Sequence, residues 1–409
     1  MKKKRVIICV TVGITVMQAA VFGLVSCERL DDDIEKHVGK EDSVAVGLDQ
    51  VAQMLSVLPI GQAHLDEVHN AACASSANGY DEEYMMSDLF TLPGKGVGDI
   101  PTRVAQMEGE TLRDLIEEHV RNQVMTKSGL AGVYDADEYL EALTKSDIQI
   151  YWPFSETWDG ETMPVITYDP EDGSDVNIGY RLCVEDDGSR RVEEVIVDEE
   201  MATRVPVWVV NRNSDAGYTT LEVLRREDPN WGEGGGDIII KPSTKVNAES
   251  PSKALRLKSF TMLRNYDVWF AGGSEFLIKV GSVDDFTAST EAELKLYNPK
   301  VTDLMMVVQR SHEGITRSVN AILISEWNPQ MTHCALMISE DDGGTWESWK
   351  CSALVKIASK SFGVEITLPI RSYDDMVWRG QLSSRWLEVN NDISSRFGDV
   401  NLTFEVLEY

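Results

Sequence analysis

The chain has 409 residues, 43% of them apolar, and carries 38 basic against 68 acidic side chains for a formal charge of −30. A chain of this length predicts two or three domains, each with a core of its own. So acidic a surface repels phosphate backbones and anionic headgroups, which excludes nucleic acid as a partner and any polybasic contact with a membrane.

Residues 1–26 begin with the basic Met1–Arg5, continue through a long apolar run from Val6, and end at Leu24-Val25-Ser26, with Cys27 next. An apolar core carries the nascent chain into the bilayer, a small residue at Ser26 fits a signal peptidase cleft, and the Cys27 thiol takes the diacylglycerol. The pattern matches the lipobox of bacterial lipoprotein signal peptides, so Cys27 is the expected lipidation site. An uncleaved helix is the competing reading, because about 20 apolar residues can just span a bilayer. The cysteine stands where apolar character stops and acidic character begins, which favours the lipoprotein. Residues 1–26 hold four basic residues and no acid, so their removal moves the charge from −30 to −34. Residues 27–45 then read as an acidic tether, opening Glu28-Arg29-Leu30-Asp31-Asp32-Asp33. Acids directly after a lipidated cysteine resemble the export signal of Bacteroidetes-type surface lipoproteins. That resemblance implies an outer-membrane protein held by its lipid and facing the exterior.

Residues 46–147 predict a small helical region. Leu48, Val51, Leu55 and Leu58 fall near one helical face, and Leu112, Leu115, Ile116, His119 and Val120 recur at helical spacing. A third helix is expected around Asp137–Leu143. From Ile148 the apolar period changes to two, and residues 148–236 read as a β-rich middle domain with turns at Asp169–Gly173 and at Asp187-Gly188. Residues 237–254 are polar and bear Pro and Ser, the composition of a linker. Residues 255–409 hold about eight strand candidates with no helical pattern between them, the signature of an antiparallel β-sandwich. The predicted fold class is therefore α+β, mostly β.

Few motifs carry chemistry. His64 and His69 are five residues apart, about 140° around a helix rather than one turn apart, so "HLDEVH" fits a solvated helix face better than a zinc site. "PGKGVGD", Pro93–Asp99, lacks the spacing of a phosphate loop, and in "AGGSEF" Phe276 stands where a nucleophile elbow needs glycine. Spacing places no catalytic residue, no metal ligand and no cofactor. In "YWPFSETWDG", Trp152 continues the Ile148/Ile150 alternation towards a core, whereas Trp158 with Asp159 is a candidate ligand contact.

"SEDDGGTW", Ser339–Trp346, spells the Asp box that recurs in sialidases and many secreted glycan-handling proteins. The resemblance implies a hairpin clasp formed by Ser339, Asp341, Gly343, Thr345 and Trp346, in which Asp341 and Thr345 bond turn amides and the Trp packs beneath. One copy implies a secreted β-domain and no reaction type. A two-residue loop at Asp342-Gly343 would set Leu336 opposite Trp349 and Cys334 opposite Cys351, and a four-residue loop keeps that register. A disulfide and two buried free thiols are both open for such a pair. The whole arrangement resembles the uncharacterised surface lipoproteins of Bacteroidetes. The expected function is a binding or adhesive module for an extracellular glycan or protein; a secreted glycoside-active or proteolytic enzyme and a structural subunit of an outer-membrane assembly are the alternatives.

Overall fold

In the computed structural model the described residues are 45–91, 110–126, 135–184, 190–213, 219–227, 253–283, 288–294 and 299–408. The signal segment with Cys27, the tether apart from Ala45, the Pro93–Asp99 loop and the Asp187-Gly188 turn lie outside them, as does the expected linker apart from Lys253 and Ala254, which already open a strand.

The periodic apolar face at Leu48, Val51 and Leu55 forms α1 (Leu48–Val57), followed by α2 (Gln62–Ala77), a short β1 (Glu83–Met85) and α3 (Met86–Phe90). Then come α4 (Leu112–Thr126), α5 (Ala136–Thr144) and the strands β2 (Ile148–Tyr151), β3 (Val165–Tyr168), β4 (Val176–Val184) and β5 (Arg190–Asp198). A short α6 (Glu199–Ala202), β6 (Val207–Arg212) and α7 (Leu221–Glu227) complete the first half. Its sheet runs β1-β2-β6-β3-β4-β5, antiparallel except for the β3–β6 pair. Strand alternation divides the side chains between two cores. Ile148, Ile150, Trp208 and Val210 meet the helices, and Trp152 joins them as its alternation requires. Tyr151, Val207 and Val209 face the other way and enclose Trp269 and Phe270, which arrive from the second half of the chain. The helices thus share one core with the sheet, so residue 147 marks a change of secondary structure and not a change of core.

The second half is all antiparallel, with β7 (Lys253–Met262), β8 (Ser274–Val283), the short α8 (Glu291–Leu294), β9 (Pro299–Val308), β10 (Arg317–Ile324) and β11 (Met331–Glu340). After these come β12 (Trp346–Ile357), β13 (Lys360–Arg371), β14 (Asp375–Ser383), α9 (Ser384–Val389), β15 (Ser394–Phe397) and β16 (Val400–Glu408). A four-stranded sheet, β10-β7-β16-β15, faces a six-stranded one, β13-β12-β11-β8-β9 with β14 also on β11, in a sandwich-like arrangement. Phe260, Leu402 and Phe404 from one sheet and Phe276, Ile278, Leu336 and Ile338 from the other fill the core between them. The fold class is α+β, mostly β.

The expected β11–β12 register does not form. These strands pair only through Met331/Val355 and His333/Leu354, after which β14 takes the place beside β11 and β12 pairs along its whole length with β13. Cys334 therefore faces Leu382, Cys351 faces Ile366, and both thiols are free. The cause is competition for one edge: β14 offers β11 eight partners where β12 offers two.

The loop between β7 and β8 joins the two halves. Asn211 donates to the carbonyls of Phe270 and Ala271 at 3.0 and 2.7 Å, Trp269 Nε1 donates to Asp175 O at 2.9 Å, and Gly273 N donates to Asp81 Oδ2 at 2.7 Å. A Cβ at Gly272, whose φ is +129°, would lie 2.5 Å from Asp81 Oδ2, so this close passage requires glycine. From Val44 to Tyr409 the chain packs as one unit.

Candidate functional site

The Asp-box segment begins as the last residues of β11 and ends as the first of β12, and these strands do not pair beside the turn but only at their far ends, through Met331/Val355 and His333/Leu354. Asp341 is buried, and its Oδ1 accepts from Gly343 N at 3.0 Å while its Oδ2 lies 3.4 Å from Arg371 Nη1. Gly343 and Gly344 take φ of +76° and +98°, as the motif predicts. The rest of the clasp differs from expectation. Thr345 N donates to Ser372 Oγ at 3.1 Å, Ser372 N to Thr345 O at 3.0 Å, and Tyr373 N to Gly343 O at 3.3 Å. The turn is thus tied to the neighbouring β13–β14 turn and not across its own hairpin. Ser339 Oγ is buried with no hydrogen-bond partner, so it bonds no turn amide. Trp346 does not pack beneath: it is 62% exposed, with the Arg371 guanidinium 5.0 Å from its ring centre. Tyr373, 71% exposed, stands on the adjoining turn. Trp346 opens β12 opposite Arg371 of β13, with Lys279 Nζ of β8 6.0 Å from its ring centre.

Behind this surface lies a group of acids that motif spacing did not reveal. Glu340 from the end of β11, Glu275 from the start of β8 and Asp267 from the β7–β8 loop each bring a carboxylate oxygen within 4.8 Å of the other two. Glu340 is 0% exposed and Glu275 4%. Neither Oε1 nor Oε2 of Glu340 has a hydrogen-bond partner, and neither does Asp267 Oδ2. Burial first, and then the facing Asp267, pushes the Glu340 carboxyl far above the ordinary range; burial likewise raises Asp267. Asp342 is pushed up to about 6 by burial, then by Asp375 and Asp341. The three acids come from segments that the topology alone brings together. The available signal is an acid bounding an apolar run, as Glu275 opens "EFLIKV" and Glu340 closes "CALMISE".

The other sequence candidates become structural. Trp158 is half-buried against Trp152 and His69, at 5.1 and 5.0 Å between ring centres, and its indole N–H donates to Thr162 O at 2.9 Å. Asp159 accepts from Thr162 Oγ1 and N and from Glu161 N, which holds its carboxyl down at about 2. Both therefore satisfy the 158–162 turn. The solvated face expected for "HLDEVH" is also revised. His64 is buried, with Nδ1 accepting from Gly61 N at 3.0 Å, and Glu67 is buried, accepting from Tyr84 Oη and Leu112 N.

Cys73 Sγ lies 3.6 Å from His69 Nε2, which resembles a thiol–imidazole pair. That nitrogen also lies 3.1 Å from the Ser155 carbonyl, an acceptor only, so it carries the proton and cannot withdraw one from the thiol. Burial raises the Cys73 pKa, the opposite of an activated nucleophile. Ser274 is fully buried and accepts from Tyr266 N at 2.9 Å, which leaves it no role as a nucleophile. Among the described residues no helix is long and apolar enough to cross a membrane. No protein-family model matches the chain, and no curated protein or solved structure does.

Proposed function

We propose that this chain is a surface-displayed lipoprotein, anchored through Cys27 in the outer membrane, that binds an extracellular ligand, with Trp346, Tyr373 and Arg371 as the contact surface. The observation that supports binding at this place is the pair of large aromatic side chains left exposed on two turns that are hydrogen-bonded to each other. Exposed aromatics on a rigid turn lose little freedom when a ligand covers them, and an arginine beside them adds directional donors. A glycan suits this chemistry: the C–H face of a sugar ring stacks on indole or phenol while its hydroxyls bond Arg371 and the acids of the turns. Of the acids on these turns, Asp342 and Asp375 are exposed and can accept from ligand hydroxyls.

The test is a glycan array and titration calorimetry with the purified chain. Expected are retention of a glycan class without product release, and at least a tenfold loss of affinity in both Trp346→Ala and Tyr373→Ala. Equal binding by wild type and the double variant would reject the surface, and release of cleaved product would favour the enzyme.

A further inference from the structure

We propose that Asp267, Glu275 and Glu340 hold a structural Ca²⁺ ion that ties the β7–β8 loop to the ends of β8 and β11. This site is independent of whichever ligand the exposed surface takes. A cluster of acids would not be enough to assign it, since acids are abundant in this chain. The decisive feature is Glu340, wholly buried, with neither carboxylate oxygen in hydrogen-bond geometry with a donor and one oxygen within 4.8 Å of oxygens of Asp267 and Glu275, so that a cation, or a proton shared with Asp267, must hold these acids together. Buried polar groups in folded proteins are almost always satisfied, and an uncompensated buried carboxylate is among the most costly arrangements a fold can contain. A second orphan, Asp267 Oδ2, belongs to the same group.

The Arg310 guanidinium relieves this only in part, through its charge on Asp267. Arg310 donates to the main-chain carbonyl of Asp267 at 2.8 Å and pairs with Glu199 at 2.9 Å.

The donor set chooses the ion. Three carboxylates and no nitrogen or sulfur select a hard cation, and oxygens up to 4.8 Å apart can lie on a sphere of about 2.4 Å radius, the Ca²⁺–oxygen distance. Mg²⁺, at roughly 2.0–2.1 Å, would need the oxygens closer together and dehydrates reluctantly. Three carboxylates, mono- or bidentate, supply about half or more of the roughly six to eight oxygens that Ca²⁺ takes, and water can complete the set. The ion lowers the local charge from −3 to −1. Two of the three ligands are buried and Asp267 is half-buried, and the ion would join a loop to two strand ends, which makes the role structural. Its consequence reaches both halves: Asp267 lies two residues before Trp269, which is packed into the first sheet, and Glu340 immediately precedes the turn that presents Trp346.

The full chain, purified in detergent and stripped with a chelator, is titrated with CaCl₂ by calorimetry and melted with and without the ion. Expected are one saturable site of dissociation constant about 10⁻⁴ M or below and a rise in melting temperature on adding Ca²⁺. Glu340→Gln keeps the shape of the side chain and should weaken that site at least a hundredfold while the chain still folds by circular dichroism. If Glu340→Gln does not fold, Asp267→Asn serves the same purpose. The proposal is overturned if the wild type shows neither heat nor a shift in melting temperature, as three protonated carboxyls would give. It is equally overturned if the folded variant binds Ca²⁺ like the wild type, as diffuse surface binding would give.

Discussion

Trp269 and Phe270 give the sharpest measure of how the two halves are held together. Their rings lie 3.9 Å apart between centres, almost wholly buried against Tyr151, Val165, Val197, Val207 and Val209 of the first sheet, although both belong to the β7–β8 loop. A buried Trp removes about 150–250 Å² from water, which at about 25 cal/mol per Å² is roughly 4–6 kcal/mol. Direct large-to-small substitutions give about 3–5 kcal/mol for Trp→Ala, cavity included. Trp269→Ala should therefore cost about 4 kcal/mol, a large fraction of the roughly 5–15 kcal/mol that stabilises a typical domain. Trp269→Phe retains most of the ring but strands the Asp175 carbonyl, and should cost about 1–2 kcal/mol. Urea unfolding followed separately by far-ultraviolet circular dichroism and by tryptophan fluorescence reads both. Coincident curves are expected for the wild type and separated ones for Trp269→Ala, because the first sheet loses its cover on one face. Tyr373→Ala, on an exposed ring, is the control and should lie within about 0.5 kcal/mol of wild type. A loss for Trp269→Ala no larger than that control would refute the claim that this plug joins the halves.

Four further outcomes are expected. Cys27→Ser should remove the acyl chains from the membrane-fraction protein by mass spectrometry, whereas an acyl-free yet normally anchored wild type would favour the uncleaved helix. Asp341→Ala loses the bond to Gly343 N and leaves Arg371 without that partner, so it should cost about 1–3 kcal/mol in thermal melts; an unchanged melting temperature would remove the clasp. Glu82 is raised well above the ordinary carboxylate value of 4.5 by burial, then by Glu156 and Asp81, so the folded state binds the extra proton. Its contribution is therefore fully present below pH 4.5 and is lost as pH rises through the raised value. Glu82's contribution should fall from pH 4.5 up to about 9, so melting temperature should decline less steeply with pH over this interval in Glu82→Gln than in the wild type; equal slopes would show that Glu82 does not titrate in this window. Cys334 is fully buried and its thiol is pushed up to about 12, and no disulfide joins it to Cys351. Thiol reagents should therefore reach Cys73 first, and reductant should leave the melting temperature unchanged; a reductant-dependent drop would restore the bond.

Local pattern determined much of this architecture. The helical spacing at Leu48–Leu55 and Leu112–Val120, the two-residue period of Ile148-Gln149-Ile150, and the apolar runs of β7, β8, β11 and β16 each state an element type through which face must leave water. The positive φ of Gly343 and Gly344 was legible for the same reason, since it depends on residues adjacent in the chain. Strand partnership was not legible in this way. The segment Ser339–Trp346 describes a turn equally well whether β12 or β14 continues beside β11, and choosing between them depends on residues 375–383, which lie far along the chain. That single choice separates Cys334 from Cys351. β1, β3 and β15, of three or four residues, are too brief for a period to appear, and the nine-residue β14 has too few apolar residues for one. The carboxylate group lies furthest from sequence. Asp267, Glu275 and Glu340 obey no common spacing, and each alone is one of 68 acids; only the pairing of β8 with β11 and the path of one loop place them within 4.8 Å of each other and bury Glu275 and Glu340.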